Sequence, residues 1–304
     1  MKAGDNMSVL AVDIGGTSIK YAEMGENDLF LTHGSVPTPQ TGREALVEAI
    51  GRLYDAAPEC RGIAISMPGI IDSENGYVVM GGALRYNDDF FFRQALQERC
   101  PVPVYLENDA KCAALAEAAN GALQDVSNGM VLIFGTMIGG ALIMNHHLYK
   151  GSHFAAGEIS YLITDRNGSP SMDGVFGNRC GVPRLCSLYA QAIGVPPESM
   201  DGVKFFCDVN HGVPEAALIL RQYADEIAVQ IFNFQNLYDP DRFAIGGGIS
   251  VQPAFIDAIR DQLGALYAVC PYPVRQAEIT VCRYQNDANL YGAYRCFMER
   301  IGHY

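Results

Sequence analysis

The first residues whose types and spacing could do chemistry are Asp13-Ile-Gly-Gly-Thr17. Glycines have no Cβ, so their backbone N–H groups can approach phosphate oxygens closely, and the hydroxyl of Thr17 adds a donor. Asp13 could hold a metal-bound water, since Mg²⁺ prefers carboxylates and waters. The P-loop spacing is absent, and a tight hairpin in which glycines only permit positive φ is the alternative. Gly15, Gly16 and Thr17 are thus a candidate phosphate-binding turn.

Two further glycine-rich stretches have a similar setting. Gly135-Thr136-Met137-Ile-Gly139-Gly140 lies between two apolar stretches, and Gly246-Gly-Gly248 follows the apolar run Phe243-Ala-Ile245. Taken alone, the first of these has the same hairpin explanation. Ligands in α/β folds gather at the carboxyl ends of strands, so three glycine turns at strand ends predict a nucleotide site.

An acidic motif, Glu107-Asn108-Asp109-Ala110, falls between a predicted strand and a predicted helix. Asn108 followed by an acid in the first turn is ordinary helix capping, and that is one interpretation. The other uses the same geometry: the helix N-terminus favours an ionised Asp109, which could accept a proton from a substrate hydroxyl.

A second acidic motif is Ala155-Ala-Gly157-Glu158. The carboxylate of Glu158 could accept hydrogen bonds from two vicinal hydroxyls of a polyol. The alternative is a solvated loop acid.

The elements that must position these residues alternate along the chain. Short apolar stretches predict strands near 9–13, 19–24, 30–36, 62–66, 102–106, 131–134, 141–144, 243–245 and 279–282. Apolar residues at helical spacing predict helices near 41–54, 108–120, 220–234, 252–266 and 288–300, the first with a capping box at Thr41 and Glu44. Residues 151–212 are interpreted as an irregular inserted region. The pattern predicts an α/β protein with helix-covered sheets.

Composition excludes several classes of partner. The chain of 304 residues has 34 acidic and 21 basic residues, a formal net charge of −13, which disfavours nucleic acid and anionic membranes. The uncharged stretch 126–149 contains four glycines, so two buried strands are predicted there rather than a membrane span. The residues before Val9 do not fit a secretory signal. Nine scattered cysteines indicate a reducing compartment, so we expect a cytoplasmic protein.

The motifs at 13–17, 107–110, 135–140, 156–158 and 245–248 occur in the order seen in the ROK family, which the sequence resembles over nearly its whole length. That family comprises repressors and sugar kinases of the actin-like ATPase (ribonuclease H-like) fold. The resemblance implies two domains with an interdomain cleft. The expected small N-terminal α/β domain covers 1–120 plus 288–304, and the expected large C-terminal α/β domain covers 121–287.

The resemblance also implies an ATP-dependent carbohydrate kinase that uses ATP and Mg²⁺ and forms a homodimer. The implied ATP-binding residues are Asp13, Gly15, Gly16, Thr17, Gly135, Thr136, Gly139, Gly140, Gly246, Gly247 and Gly248, with Mg²⁺ held through the nucleotide and by Asp13. The implied sugar-binding residues are Gly69, Asn108, Asp109, Glu158, Tyr161 and Ser187, with Asp109 as the catalytic base.

The sequence departs from the family where a structural zinc is usually bound. Tyr161, Asn178 and Leu185 stand at three of the ligand positions, and only Cys180 matches. One thiolate cannot build a four-coordinate site, so we predict no zinc. Met137 stands where the family often has glycine, a change that affects how this turn contacts phosphate.

Two other departures bear on the substrate. Tyr161 and Ser187 stand where the family has a histidine and a glutamate that face the anomeric end of the sugar, which suggests that a free anomeric hydroxyl is not required. The stretches 62–84 and 161–166 are most similar to those of bacterial β-glucoside kinases. We therefore predict transfer to the 6-hydroxyl of a glucose unit in a β-glucoside such as cellobiose.

Other functions stay open. Within the same class these are a glucokinase or an N-acetylmannosamine kinase. In a different class they are a non-catalytic sugar sensor or a ROK regulator, and the regulator is disfavoured because the residues before Asp13 are too few for a helix-turn-helix.

Overall fold

The structure is a computed structural model that describes residues 8–165 and 171–302. The chain divides into two compact units. Unit 1 contains Met1–Asn120, Lys150–Ala156 and Asn286–Tyr304, and unit 2 contains Gly121–Tyr149 and Gly157–Gln285. Within the described ranges no helix combines the length and apolarity needed to cross a bilayer. Arg166, the last residue of the stretch compared with β-glucoside kinases, lies outside the described residues.

Unit 1 has a five-stranded sheet of order β3-β2-β1-β4-β7. Strands β1 to β3 are antiparallel neighbours, whereas β4 and β7 run parallel to β1. A separate two-stranded sheet pairs β5 with β6. The bounds are β1 Ser8–Ile14, β2 Ser18–Met24, β3 Phe30–Pro37, β4 Cys60–Met67, β5 Ile70–Asp72, β6 Tyr77–Met80 and β7 Val104–Asn108.

Helices cover both faces of the unit 1 sheet, and β1 is buried along its whole length for that reason. Leu10 and Val12 pack in one core with residues of α1 and α2, while Val9 and Ala11 pack in another core with α9. The helices are α1 Arg43–Asp55, α2 Phe92–Arg99, α3 Asp109–Asn120 and α9 Ala288–Arg300.

Unit 2 repeats this topology. Its sheet has the order β10-β9-β8-β11-β12, with β8 to β10 antiparallel and with β11 and β12 parallel to β8. The strands are β8 Gly129–Phe134, β9 Ile138–Met144, β10 His147–Tyr149, β11 Arg242–Gly246 and β12 Ile279–Val281. The helices are α4 Phe176–Cys180, α5 Val182–Ile193, α6 Gly202–Asn210, α7 Pro214–Tyr238 and α8 Pro253–Val269. The core of the unit lies between its sheet and α5 to α8.

The structure confirms the predicted α/β class and corrects two local predictions. The Thr41–Glu44 capping box is wrong, since α1 begins after Gly42 and has no side-chain cap. The irregular region predicted over 151–212 is also wrong, because α4, α5 and α6 lie within it. α4 and α6 have only 5 and 9 residues, so their apolar periodicity is short. α5 has 12 residues, but it starts after Gly181 and has Pro183 in its first turn, residue types that indicate a loop.

Candidate active site

The first glycine turn, Gly15–Thr17, joins β1 to β2 in unit 1. Thr38 donates its hydroxyl to the carbonyl of Gly15 at 2.7 Å, and the side-chain amide of Gln40 donates to the carbonyl of Gly16 at 2.9 Å. Neither glycine has a positive φ, but a Cβ on Gly15 would lie 2.9 Å from the carbonyl oxygen of Ser18, so the tight turn requires a glycine there. Thr17 is exposed. With both carbonyls engaged, the turn is held in place and its residues suit close approach by a phosphate.

Asp13 lies at the end of β1, just before this turn, and is buried. The hydroxyl of Ser66 and the amide of Asn289 donate to its Oδ1 at 2.9 and 3.0 Å. Burial raises the pKa of Asp13, while these two hydrogen bonds and the charge of Lys20 oppose the shift. A buried carboxylate whose charge is only partly compensated suits a nearby cation.

The junction of β7 with α3 carries the second set of predicted residues in unit 1. Asn108 accepts a hydrogen bond from the N–H of Lys111 at 3.1 Å, which caps α3, and its amide donates to the carbonyl of Gly69 at 2.9 Å. Asp109 Oδ1 accepts the N–H of Ala110 at 2.8 Å. The capping interpretation of Asn108 is therefore confirmed. The carboxylate of Asp109 lies in the first turn of α3, at the positive end of the helix dipole.

Gly69 reaches Asn108 through a backbone conformation that only glycine adopts easily. Its φ is +108°, and a Cβ there would lie 1.9 Å from the carbonyl oxygen of Met80. Gly69 thus allows two backbone segments to cross closely beside Asn108.

The second glycine-rich stretch, Gly135–Gly140, lies in unit 2. Residues 135–137 form the turn that joins β8 to β9, whereas Gly139 and Gly140 lie within β9 and pair with β8. The carbonyl of Gly135 accepts the N–H of Val182, the first residue of α5, at 2.9 Å. Gly135 and Thr136 are exposed, and Gly135 has no positive φ. Met137 turns its methyl group toward Gly177, where a Cβ would lie 2.6 Å from it. Met137 therefore packs against α4.

The backbone of this turn also fixes Glu158. A Cβ at Gly140 would lie 2.6 Å from the carbonyl oxygen of Gly157, and one at Gly157 would lie 2.5 Å from that of Gly140. Ser160 donates to the carbonyl of Ile138 at 2.6 Å. The second glycine turn and the segment carrying half-buried Glu158 are thus one assembly within unit 2.

The third glycine turn, Gly246–Gly248, lies beside the second. Gly247 has φ +89°, and a Cβ there would lie 2.0 Å from the carbonyl oxygen of Phe134, the residue before Gly135. Gly246 is buried, whereas Gly248 is exposed and a Cβ on it would meet nothing within 4 Å. Gly246 and Gly247 are therefore required by packing, and Gly248 faces open space.

Tyr161 is exposed and Ser187 lies half-buried within α5. Both are in unit 2, where the backbone N–H of Tyr161 donates to the carbonyl of Glu158 at 3.3 Å. Their predicted contact with sugar stays a prediction.

The residues at the family's zinc positions have other partners. Asn178 donates to the carbonyl of Met172 at 2.9 Å, Leu185 is fully buried in the core, and burial raises the pKa of the Cys180 thiol, which disfavours a thiolate. Within residues 8–165 and 171–302 no cluster of three His, Cys, Asp or Glu side chains could hold a metal.

Ion pairs tie this region together. Arg179 in α4 contacts both carboxylate oxygens of Glu226 in α7 at 2.8 and 2.6 Å, and it contacts Asp165 at 2.8 Å. Three segments that are distant in sequence thus meet at one guanidinium group.

Some of these residues escaped sequence reasoning. Ser66 is the register partner of Asp13 in the parallel pairing of β1 with β4, so strand pairing could have found it. Asn289 contacts Asp13 from 276 residues further along the chain, and Ser160 contacts Ile138 from an irregular segment. No local sequence pattern indicates either contact.

Two mixed sheets of one topology, each with glycine turns at its strand ends, define the actin-like ATPase fold and so confirm the predicted fold class. Residues 9–300 match the ROK family. The chain belongs to the ROK family.

Relatives cover almost the whole chain. It is 34% identical to the β-glucoside kinase of Klebsiella pneumoniae, over 94% of this chain and 95% of that protein. It is 31% identical to the β-glucoside kinase of Listeria innocua, with 96% and 98% covered. A ROK family protein from Streptococcus pneumoniae TIGR4 in complex with sucrose has a TM-score of 0.88 at 28% identity, with 98% of this chain and all of that one covered (100%). The Lmo2764 protein from Listeria monocytogenes has the same TM-score, 0.88, and identity, 28%, with 97% and 100% covered.

Proposed function

We propose that this protein is an ATP-dependent kinase that phosphorylates the 6-hydroxyl of a glucose unit in a β-glucoside such as cellobiose. The observation that carries the proposal is the junction of β7 and α3. There Asn108 is held by two hydrogen bonds and Asp109 begins a helix, an arrangement suited to orienting an alcohol and removing its proton. The names of its β-glucoside kinase relatives support the choice of substrate.

Phosphoryl transfer needs mainly positioning and charge stabilisation. In unit 1, Asp109 accepts the proton of the attacking hydroxyl, and Asn108 and Gly69 orient the sugar. In unit 2, Glu158 accepts hydrogen bonds from sugar hydroxyls.

The glycine turns take the nucleotide. Backbone N–H groups of the first and second turns donate to phosphate oxygens, and the open face at Gly248 receives the adenosine. Mg²⁺, when bound, neutralises the charge that develops on the phosphates. Asp13 fits such an ion, since Mg²⁺ takes one or two carboxylates together with waters and phosphate oxygens. We also expect the protein to be cytoplasmic and to form a homodimer. Sedimentation of the purified protein tests the dimer.

A panel of sugars tests the proposal. Phosphate transfer from ATP to cellobiose, glucose, N-acetylmannosamine and N-acetylglucosamine is measured in one coupled assay. We expect the highest kcat/KM for cellobiose and a product that carries phosphate on the 6-hydroxyl of the glucose unit. A clear preference for a free monosaccharide would assign the protein as a glucokinase or an amino-sugar kinase.

One observation favours a disaccharide independently of the named kinases. The Streptococcus pneumoniae ROK family protein binds sucrose, which has two sugar rings. A protein that binds cellobiose but transfers phosphate to none of the four sugars would instead be a sugar sensor, and the kinase proposal would be wrong.

A further inference from the structure

A buried carboxylate lies immediately before the proposed sugar-binding residues. Glu107 is 1% exposed, and its Oε1 accepts the N–H of Asn108 at 2.9 Å. Its Oε2 lies 2.6 Å from the Nζ of Lys150. The angles do not fit a hydrogen bond, so the contact is mainly electrostatic. The ammonium of Lys150 therefore compensates a charge that would be costly to bury alone.

Lys150 holds a second segment at the same time. Its Nζ donates to the hydroxyl of buried Ser73 at 2.6 Å. Ser73 follows β5, and Gly69 precedes β5 and accepts the amide of Asn108 at 2.9 Å. The segment 69–73 is thus tied to the end of β7 at both of its ends, by Asn108 at one and by Lys150 at the other.

Lys150 comes from far along the chain. It begins the segment Lys150–Ala156, which packs with unit 1 although its flanking residues belong to unit 2. The N–H of Ala156 donates to the carbonyl of Lys150 at 3.1 Å, and Gly151 has φ +72°, so the segment is closed on itself. Lys150 thus enters unit 1 from a short folded loop.

We infer that Lys150 is a positioning residue for phosphoryl transfer, which rests on the proposed function. It holds the end of β7 and the segment 69–73 in the arrangement that presents Asn108 and Asp109 to the sugar. Without its ammonium, Glu107 loses the cation that lies 2.6 Å from its Oε2, and we expect the end of β7 to move so that the carboxylate reaches water. Asp109 lies two residues away and moves with it.

Variants at both partners test this inference. Lys150→Met should lower kcat/KM for the sugar about 100-fold, since displacements of about 1 Å at a reacting group have effects of this size, and should leave KM for ATP unchanged. Lys150→Arg retains the charge and should keep more activity. The double variant Glu107→Gln/Lys150→Met removes both charges. Its kcat/KM for the sugar should be only about tenfold below that of the parent, because no charge is left buried alone. Lys204→Met changes an exposed lysine of α6 and is the matched control. Its kcat/KM for the sugar should equal that of the parent.

The readouts separate positioning from a purely structural ion pair. A structural pair would lower the thermal midpoint while the folded protein kept the parent kcat/KM, and that result in Lys150→Met would overturn the inference and leave the proposed function intact. If Lys150→Met does not fold, the charge-free double variant decides, and a parent-like kcat/KM for sugar in it also overturns the inference. A parent protein that phosphorylates no sugar would refute the proposed function, and the inference with it.

Discussion

The first and second glycine turns occupy the same place in two sheets of identical topology, yet they differ in charge. Asp13 stands two residues before Gly15, whereas the apolar Ile133 stands two residues before Gly135. In unit 1 the buried carboxylate accepts hydrogen bonds from Ser66 and Asn289. In unit 2 the side chain of Ile133 contacts Gly246 instead. One topology thus yields a turn beside a buried carboxylate, suited to a cation, in unit 1 and a turn beside an apolar side chain in unit 2.

The two turns also differ in what supports them. Side chains of Thr38 and Gln40 hold the first turn. The second turn is held by the backbone N–H of Val182, by the close approach of Gly181 to the carbonyl of Thr136, and by the hydroxyl of Ser160 at the backbone of Ile138. Substitutions should therefore affect the first turn mainly through its chemistry and the second mainly through its packing.

The largest expected effect separates the turns by charge. Asp13→Asn should lower kcat about 100- to 1000-fold, the usual range for loss of one group that stabilises transition-state charge. It should also raise the free energy of unfolding at neutral pH by about 1 kcal/mol, since functional groups are often held at the expense of stability. Steady-state kinetics and urea unfolding measure the two changes.

The gain in free energy of unfolding expected for Asp13→Asn depends on pH, because the pKa of Asp13 is raised. The stability contributed by its protonated form is fully present below the unfolded-state pKa and is lost as pH rises through the higher folded-state pKa. Asparagine does not ionise. The difference in free energy of unfolding between Asp13→Asn and the parent should therefore be largest at neutral pH and vanish at about pH 4. An advantage that grows toward acid would contradict the assignment.

The next effect distinguishes packing from ligand contact within the third turn. Gly247→Ala places a Cβ 2.0 Å from a backbone oxygen at φ +89° and should lower the free energy of unfolding by about 3 kcal/mol. Gly248→Ala meets open space and should change it by less than about 0.5 kcal/mol, while raising KM for ATP about tenfold. Chemical unfolding and kinetics of the pair provide the test. Equal stability losses in both variants would refute the distinction.

The smallest expected effect concerns the helices that support the second turn. Arg179→Met removes contacts to Glu226 and Asp165, which are partly exposed, so the loss of stability should be about 1 kcal/mol. A zinc chelator should leave the thermal midpoint of the parent protein unchanged. A chelator-induced drop would show that a metal stabilises this region. Arg184→Met, an exposed arginine of α5, serves as the control.

Local patterns predicted the parts of the site that are local in sequence. The cap at Asn108 and the strands beside each glycine turn follow from neighbouring residue types. The contacts that complete the site do not, because Ser66, Asn289 and Lys150 lie 53, 276 and 43 residues from their partners. Among the helices of residues 176–210, α4 and α6 were missed because they present few turns of apolar periodicity, and α5 because Gly181 and Pro183 at its start are typical of a loop.

The central claim, that Asp109 removes the proton of the sugar hydroxyl, is tested most directly by Asp109→Asn. Calorimetry measures cellobiose binding, and the coupled assay measures kcat, with Asp261→Asn on the exposed face of α8 as the matched control. The account predicts that Asp109→Asn binds cellobiose while kcat falls about 1000-fold. Sugar binding together with a kcat close to that of the parent would contradict it.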